Sequence, residues 1–399
     1  MTSFKSDHSL NDWRRLSMRR LLALTIALVT AFSLIGCSAP AKDVSTNTQT
    51  NTTEAETTVA ESEEAKEATT DSDRRLNISV LARGTGTDFW SEIEKGIDDA
   101  AKDYDVDYTY QTPDTEIASF QLSRLMKSEI EKMPDAIVIS PIGYDDIYAQ
   151  LKKSAKKGIP VVAFDSGKRD DVTGATVATS GIDNYEAGKE AADLLFSDKE
   201  ILNRLSSATM EEPVFIGCLS QDALTESIIA RTSGFVDEAF KICSEHAETC
   251  IEGHEIWAKA NDDACIYIEI AISEAVNDEA LAYSSEVLCR LNNILGIFAT
   301  GEPCVNALID YKASDGEYHD TLNHIPVYGF DAGEKQRKAV KDGFIKASFG
   351  QDAYSVGYKA MELAVKAAKN EEVDNEVLPY IRYDASNIDD SSVVKVLFK

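Results

Sequence analysis

Between Leu76 and Lys369 the apolar positions follow two alternating rhythms: short unbroken runs, and longer stretches with apolar residues three and four apart. Leu76 to Ala82, Tyr108 to Gln111, Ala136 to Ser140 and Pro160 to Phe164 read as strands. Trp90 to Tyr104 has helical spacing, with Ile93, Ile97 and Ala101 on one face; Ile117 to Lys132 and Ile147 to Lys157 are the next helices, and Gly158 ends the last of them. Ala136 to Ser140 is almost wholly apolar, as in a parallel sheet covered on both faces. Such alternation predicts a parallel sheet between helix layers. The rhythm then restarts. Tyr185 to Phe196, Arg231 to Ile242, Ile266 to Ala275, Cys304 to Lys312, Gln336 to Lys341 and Tyr354 to Lys369 are expected helices. Val214 to Leu219, His254 to Ala258, Ile294 to Thr300, Val327 to Phe330 and Ala347 to Phe349 are expected strands. Val276 to Asn293 shows no clear period. Two sheets in one chain predict an α/β protein of two lobes.

The N-terminus is built differently. Arg19 and Arg20 precede an apolar run from Leu21 to Ile35, closed by Gly36 and Cys37. The run is shorter than the roughly 20 residues of a comfortable membrane span and suits an export signal. Leu34-Ile35-Gly36-Cys37 resembles a bacterial lipobox, which implies cleavage before Cys37 and acylation of its thiol and new amine. Residues 1–37 are thus expected to be a lipoprotein signal peptide; Met18 offers a compact alternative start. Residues 38–74, rich in Thr, Glu, Ala and Ser, cannot bury enough surface to fold. They read as a disordered acidic tether on the order of 35 Å in span. The expected location is the extracytoplasmic face of the cell membrane, lipid-anchored through Cys37.

The 399-residue chain has a formal net charge of −29. Residues 1–37 carry five basic and two acidic side chains, so the remainder carries −32. Such a surface repels nucleic acid and anionic lipid headgroups and argues against both as partners.

Several segments, taken in order, resemble the class I (ribose-type) periplasmic sugar-binding proteins. Gly84-Thr85-Gly86-Thr87-Asp88-Phe89-Trp90 is similar to that family's first loop, where two aromatics start a helix. Pro134 to Pro141 resembles its third strand, and Gly158 to Asp165 the fourth, ending in a ligand Asp. Asp183 to Gly188 resembles its first crossover, and Arg231-Thr232-Ser233-Gly234-Phe235 its Arg-x-x-Gly-Phe helix. Gly329-Phe330-Asp331 is similar to a second ligand Asp segment, with Gln351 at the family's spacing. The resemblance covers nearly everything from Arg75 onward. It implies two Rossmann-like lobes with parallel sheets joined by a three-strand hinge, the periplasmic-binding-protein type I fold. Residues 75–182 with 352–380 would form the N-terminal lobe, and 183–351 with 381–399 the C-terminal lobe.

The ligand-binding set implied by the resemblance is Phe89, Trp90, Asp165, Arg231, Asp331 and Gln351. Its chemistry suits a polyhydroxylated, largely neutral molecule. Aromatic faces pack on the C–H patches of a sugar ring, carboxylates accept paired hydroxyls, and an Arg fork donates charge-assisted bonds. A second tier comprises Arg83, Thr87, Ser166, Asn261 and Glu302. Here the sequence departs from the family. Gly301-Glu302 stands where an Asn is common, Ser166 where many sugar binders have Arg, and no aromatic lies near Asn261. Arg83 in the first loop is a candidate to compensate.

Other constellations are thinner. Gly84-x-Gly86 lacks the third glycine of a dinucleotide loop. Cys243-x-x-His246 and Cys250-x-x-x-His254 have zinc-ligand types, but they fall across a helix end, a loop and a strand, so no metal is expected. Apart from Cys37, six cysteines lie between Cys218 and Cys304; in an exported chain Cys243 and Cys250 are the first candidates for a bridge. No Ser-His-Asp or paired-carboxylate set has supporting context. The expected function is therefore not enzymatic and needs no cofactor. The resemblance implies the solute-binding component of an ABC importer, partnered by a small sugar or polyol and a membrane permease. The alternative is a same-fold sensor for a sugar-like signal of the autoinducer-2 type, or for a nucleoside, coupled to a chemoreceptor or kinase.

Overall fold

The computed structural model describes residues 74–167, 171–273 and 276–397. The signal segment, Cys37 and the tether up to residue 73 lie outside the described residues. The first lobe opens with β1 (Asn77–Leu81), α1 (Asp88–Asp103), β2 (Asp107–Gln111), α2 (Ser119–Glu131), β3 (Ala136–Ile139), α3 (Tyr144–Lys157), β4 (Val161–Phe164) and β5 (Thr176–Gly181). The second holds α4 (Asn184–Phe196), α5 (Lys199–Ser206), β6 (Val214–Ser220), α6 (Glu226–Ser244), β7 (Thr249–Glu252), β8 (Ile266–Ile272), α7 (Asp278–Cys289), β9 (Ile294–Ala299), α8 (Glu302–Ala313), β10 (Val327–Phe330), α9 (Glu334–Lys341) and β11 (Ile345–Gln351). The chain returns to the first lobe for α10 (Ala353–Ala368) and β12 (Glu376–Val377), then ends in the second with β13 (Tyr380–Tyr383) and α11 (Ser391–Val394). The sheet orders are β12-β5-β4-β3-β1-β2 and β13-β11-β10-β9-β6-β8-β7. All pairs are parallel except β11 with β13. This is an α/β fold of two parallel-sheet lobes, crossed three times by the chain.

Side-chain alternation builds both layers of the core. Ile78, Val80, Ala136 and Val138 face α1 and α10, whereas Leu81, Ile137 and Ile139 face α2 and α3. A strand buried on both sides must be apolar throughout, which is why β3 carries no polar residue. In the second lobe Ile216 and Cys218 of β6 join the core of α4 and α6.

Two expected elements are corrected. Ile266 to Ile272 is a strand, not a helix: Ile266, Ile268 and Ile270 are buried at a period of two, and β-branched residues suit that pleat. His254 to Ala258 is a turn closed by Ala258 N donating to His254 O; the strand lies earlier, at β7. Gly253 ends β7 with φ at 106°, and a Cβ there would lie 2.0 Å from Ile270 O. The stretch without a clear period is α7, capped by Asn277, whose side chain accepts from Ala280 N.

The six cysteines of the second lobe are free thiols: all are buried except Cys265, which is half-buried, and Cys243 is not bridged to Cys250. Cys243 belongs to the core beneath α6, where burial pushes its thiol up to about 12. The histidines of the zinc-like motifs have other neighbours. His246 Nδ1 bonds Ser206 Oγ at 2.7 Å, and the His254 ring lies 5.4 Å from Trp257.

Candidate functional site

Two strands end alike. β4 runs into Phe164-Asp165 and β10 into Phe330-Asp331, and each Asp has a left-handed backbone, φ 58° and 68°. Asp tolerates that region better than most residues. The neighbouring strands hold it there: Asp165 N donates to Ser180 O at 2.9 Å and Asp331 N to Phe349 O at 2.7 Å. The turn places both carboxylates beyond the carboxyl ends of their sheets, where open α/β sheets bind ligands. Both residues are buried.

Two arginines line the same cavity as the two aspartates. Arg83 Nη2 donates to Asp165 Oδ2 at 3.1 Å, and its guanidinium carbon lies 5.2 Å from the Trp90 ring centre. Burial pulls Arg83 down, but the charges of Asp165, Glu116 and Asp222 outweigh it and hold the group above its ordinary value. Arg231, from α6, lies 3.3 Å from the Phe330 ring centre and donates to Asn184 Oδ1 at 2.7 Å and to the Thr300 carbonyl. Burial lowers it to about 10, with Asp331 and Asp165 offsetting part of the effect. It therefore stays cationic at neutral pH. Asp331 Oδ1 accepts from Gln351 Nε2 at 3.0 Å and Oδ2 from Glu302 N at 3.0 Å. Burial raises its carboxyl, and Arg231, Gln351 and that backbone N–H bring it part of the way back.

The aromatic wall comes from the start of α1. Thr87 caps the helix by accepting from Trp90 N, and Trp90 meets Phe89 and Phe164 edge to face at 5.1 and 6.4 Å. All six primary residues, with Arg83, Thr87 and Glu302, line one cavity between the lobes. Two second-tier residues lie outside it. Ser166 Oγ accepts from Ser227 N at 3.2 Å, a contact between lobes. Asn261 donates to Glu248 Oε2 at 2.9 Å in the loop that enters β8. That loop sits at the amino end of β8, away from the strand ends that frame the cleft.

Sequence reading missed Glu116 and Gln221. Glu116, in the loop after β2, accepts from Trp90 Nε1 at 2.9 Å, Arg83 Nη1 at 3.2 Å and Gln221 Nε2 at 3.2 Å. Gln221 follows β6, so this last bond ties the lobes together. Gln221 directly follows the carboxyl end of β6 and Glu116 lies five residues beyond that of β2, so both fall in loops at strand carboxyl ends. The lobes also meet through Gly143 N to Leu224 O at 3.2 Å and Glu334 N to Asp88 Oδ2 at 3.1 Å. The cavity between them is about 20 Å³, room for about one water. A molecule larger than a water fits only if the lobes part.

Glu302 begins α8 at the cavity edge. Burial, with the charges of Asp331 and Asp88, pushes its carboxyl up to about 7 from 4.5. Between those pH values the folded form holds the extra proton. Stability is therefore lost as pH rises from about 4.5 to about 7, by about 3 kcal/mol in all. Glu302→Gln keeps the shape without the charge. It is expected to raise Tm by several degrees at about pH 8 and to change it little at about pH 5. Melting curves at both pH values check this; equal increments would assign the titration elsewhere.

Two α/β lobes whose strand ends face one hinged cleft define a class of receptor that closes on its ligand. The chain belongs to the periplasmic binding protein domain family, matched over residues 78–372. It is 24% identical to the D-allose-binding periplasmic protein of Escherichia coli (strain K12) over 303 residues, 74% of this chain and 85% of that one. Among solved structures it is similar to an ABC transporter, LacI family transcriptional regulator from Brachyspira murdochii. The identity is 30%, the TM-score 0.66, and the match covers 82% of this chain and 99% of that chain. An ABC transporter solute binding protein from Agrobacterium vitis with bound D-fucose shares the fold at TM-score 0.66 and 22% identity, over 81% of this chain and 100% of that chain. Among the described residues no helix is long and apolar enough to cross a membrane.

Proposed function

We propose that this protein is an extracytoplasmic solute-binding receptor, lipid-anchored through Cys37, that closes on a sugar and delivers it to the permease of an ABC importer. One observation carries the reading: Trp90, Asp165, Arg231, Asp331 and Gln351, drawn from both lobes, line a single interlobe cavity. The D-allose-binding relative and the D-fucose-bound structure support a sugar as the ligand class. The parts divide the work. Trp90 and Phe89 pack on the ring, Asp165 and Asp331 accept its hydroxyls, and Arg231 and Gln351 donate. A ligand bonded to both lobes favours the closed form by as much as it prefers it, and the closed form is what a permease would recognise. No bond is made or broken.

The test is a thermal-shift screen of the purified chain over pentoses, hexoses, polyols, nucleosides and autoinducer-2. A ligand at about 1,000 times its Kd adds about 4 kcal/mol, a rise of several degrees. A screen in which nothing moves Tm would sink the sugar reading. For the anchor, Cys37→Ala is expected to release the protein from the membrane fraction or leave the signal uncut; unchanged fractionation and mobility would rule the anchor out.

A further inference from the structure

The cleft holds more acid than base. Arg83 and Arg231 face the carboxylates of Asp165, Asp331 and Glu116, and a fourth carboxyl, Glu302, which burial pushes up to about 7 and which is therefore about half charged at neutral pH; all line the same cavity. Asp222, a further acid nearby, is taken up at the start of α6 by Leu224 N, Thr225 N and Thr225 Oγ1. Three of the four cleft carboxylates are satisfied by donors. Asp165 has Arg83, Glu116 has Trp90, Arg83 and Gln221, and Asp331 has Gln351 and the Glu302 N–H. Glu302 is different. Its Oε2 is buried with no hydrogen-bond partner among the described residues, and so is Oδ1 of Asn306, one turn further along α8, whose side chain bears on the Glu302 carboxyl and offsets part of its rise. Residues four apart share a helix face. Both residues line a pocket of about 500 Å³ between α7 and α8, which shares Thr87, Glu302 and Pro303 with the cleft.

An acceptor buried without a donor is costly, and an uncompensated buried charge more so. A sugar hydroxyl brings one proton and no charge. A primary ammonium brings three donors and a positive charge. Resting on the sugar-receptor reading above, we propose that the ligand is an aminated sugar or polyol whose protonated amine is received by Glu302 and Asn306 at the mouth of the lobe-two pocket. The ring then lies against Trp90 between the two aspartates. The amine offsets part of the acid excess, and its N–H groups reach the two acceptors that the protein leaves without donors.

The experiment is isothermal titration of the full chain at neutral pH with D-glucosamine, D-galactosamine and D-mannosamine, each against its parent hexose and its N-acetyl derivative. At least one amino sugar is expected to bind roughly tenfold or more tighter than its parent. N-acetylation, which removes the charge, should erase the gain. Glu302→Gln and Asn306→Leu should each bring the ratio of the two affinities close to one, with unliganded melting curves confirming that both variants fold. A parent hexose that binds as tightly as its amine overturns the amine assignment and leaves the sugar reading intact. So does a ratio that survives both substitutions. If no amino sugar, hexose or other compound of the thermal-shift screen binds, both readings fall together.

Discussion

Gly234→Ala is expected to lower the melting temperature by several degrees, although it adds one methyl group. Gly234 lies on α6 where it crosses α4, and a Cβ there would sit 1.9 Å from Tyr185 O and 3.1 Å from Lys189 N. The contact is reciprocal: a Cβ on Gly188 of α4 would sit 2.0 Å from Arg231 O. Backbone meets backbone, so no flexible side chain can move aside. Overpacking of this kind costs about 1–3 kcal/mol or more. Ala gains roughly 0.5–1 kcal/mol over Gly as a helix former, too little to reverse the sign. At about 2–4 °C per kcal/mol for a domain of roughly 150–250 residues, the loss is readily measured by calorimetry. Arg231 lies one turn earlier on α6 and bonds Asn184 at the start of α4. Separation of these helices should therefore weaken ligand binding as well. A Tm equal to or above that of the parent protein would show that the two helices do not touch as described.

Asp331→Ala is expected to weaken binding of the sugar identified by the screen by roughly tenfold or more. With a sugar bound, the substitution removes the acceptor for its hydroxyls; with or without ligand it removes the acceptor for Gln351 Nε2 and Glu302 N and the charge opposite Arg231. Donors left unpaired in a dry site cost about 1–3 kcal/mol. The effect on the unliganded protein is smaller because two contributions oppose. Removing a buried charge relieves its desolvation, while Ala is less at ease than Asp at φ 68°. Titration calorimetry separates the two readouts. Affinity within about twofold of the parent protein would remove Asp331 from the site.

The strands were legible where burial on both faces made them apolar throughout, as in β3 and β4, and α1 and α10 where the apolar stripe was regular. The two aspartates after β4 and β10 were legible as strand-end turn residues, because a turn residue at a strand's end is a local feature. β8 was misread although its isoleucines alternate at the period of a strand; pairing with β6 and β7 on both sides holds that segment extended. The candidate site divides in the same way. Trp90, Asp165, Arg231, Asp331 and Gln351 carried motif signals. Glu116 and Gln221 carried only their place in loops after strand ends; they stand 105 positions apart, and the structure brings them together across the lobes. Asn261 had the right place in the order of the chain, but the loop enters the wrong end of its strand. The sequence by itself determined the rhythm of elements and the residues that end the strands, because hydrophobic period and turn chemistry act over a few residues. Tertiary structure alone decided which loops face one another across the hinge, how tightly the lobes meet, and which buried acceptors lack a donor. Those depend on contacts between segments roughly 60 to 250 residues apart, and no local pattern encodes them.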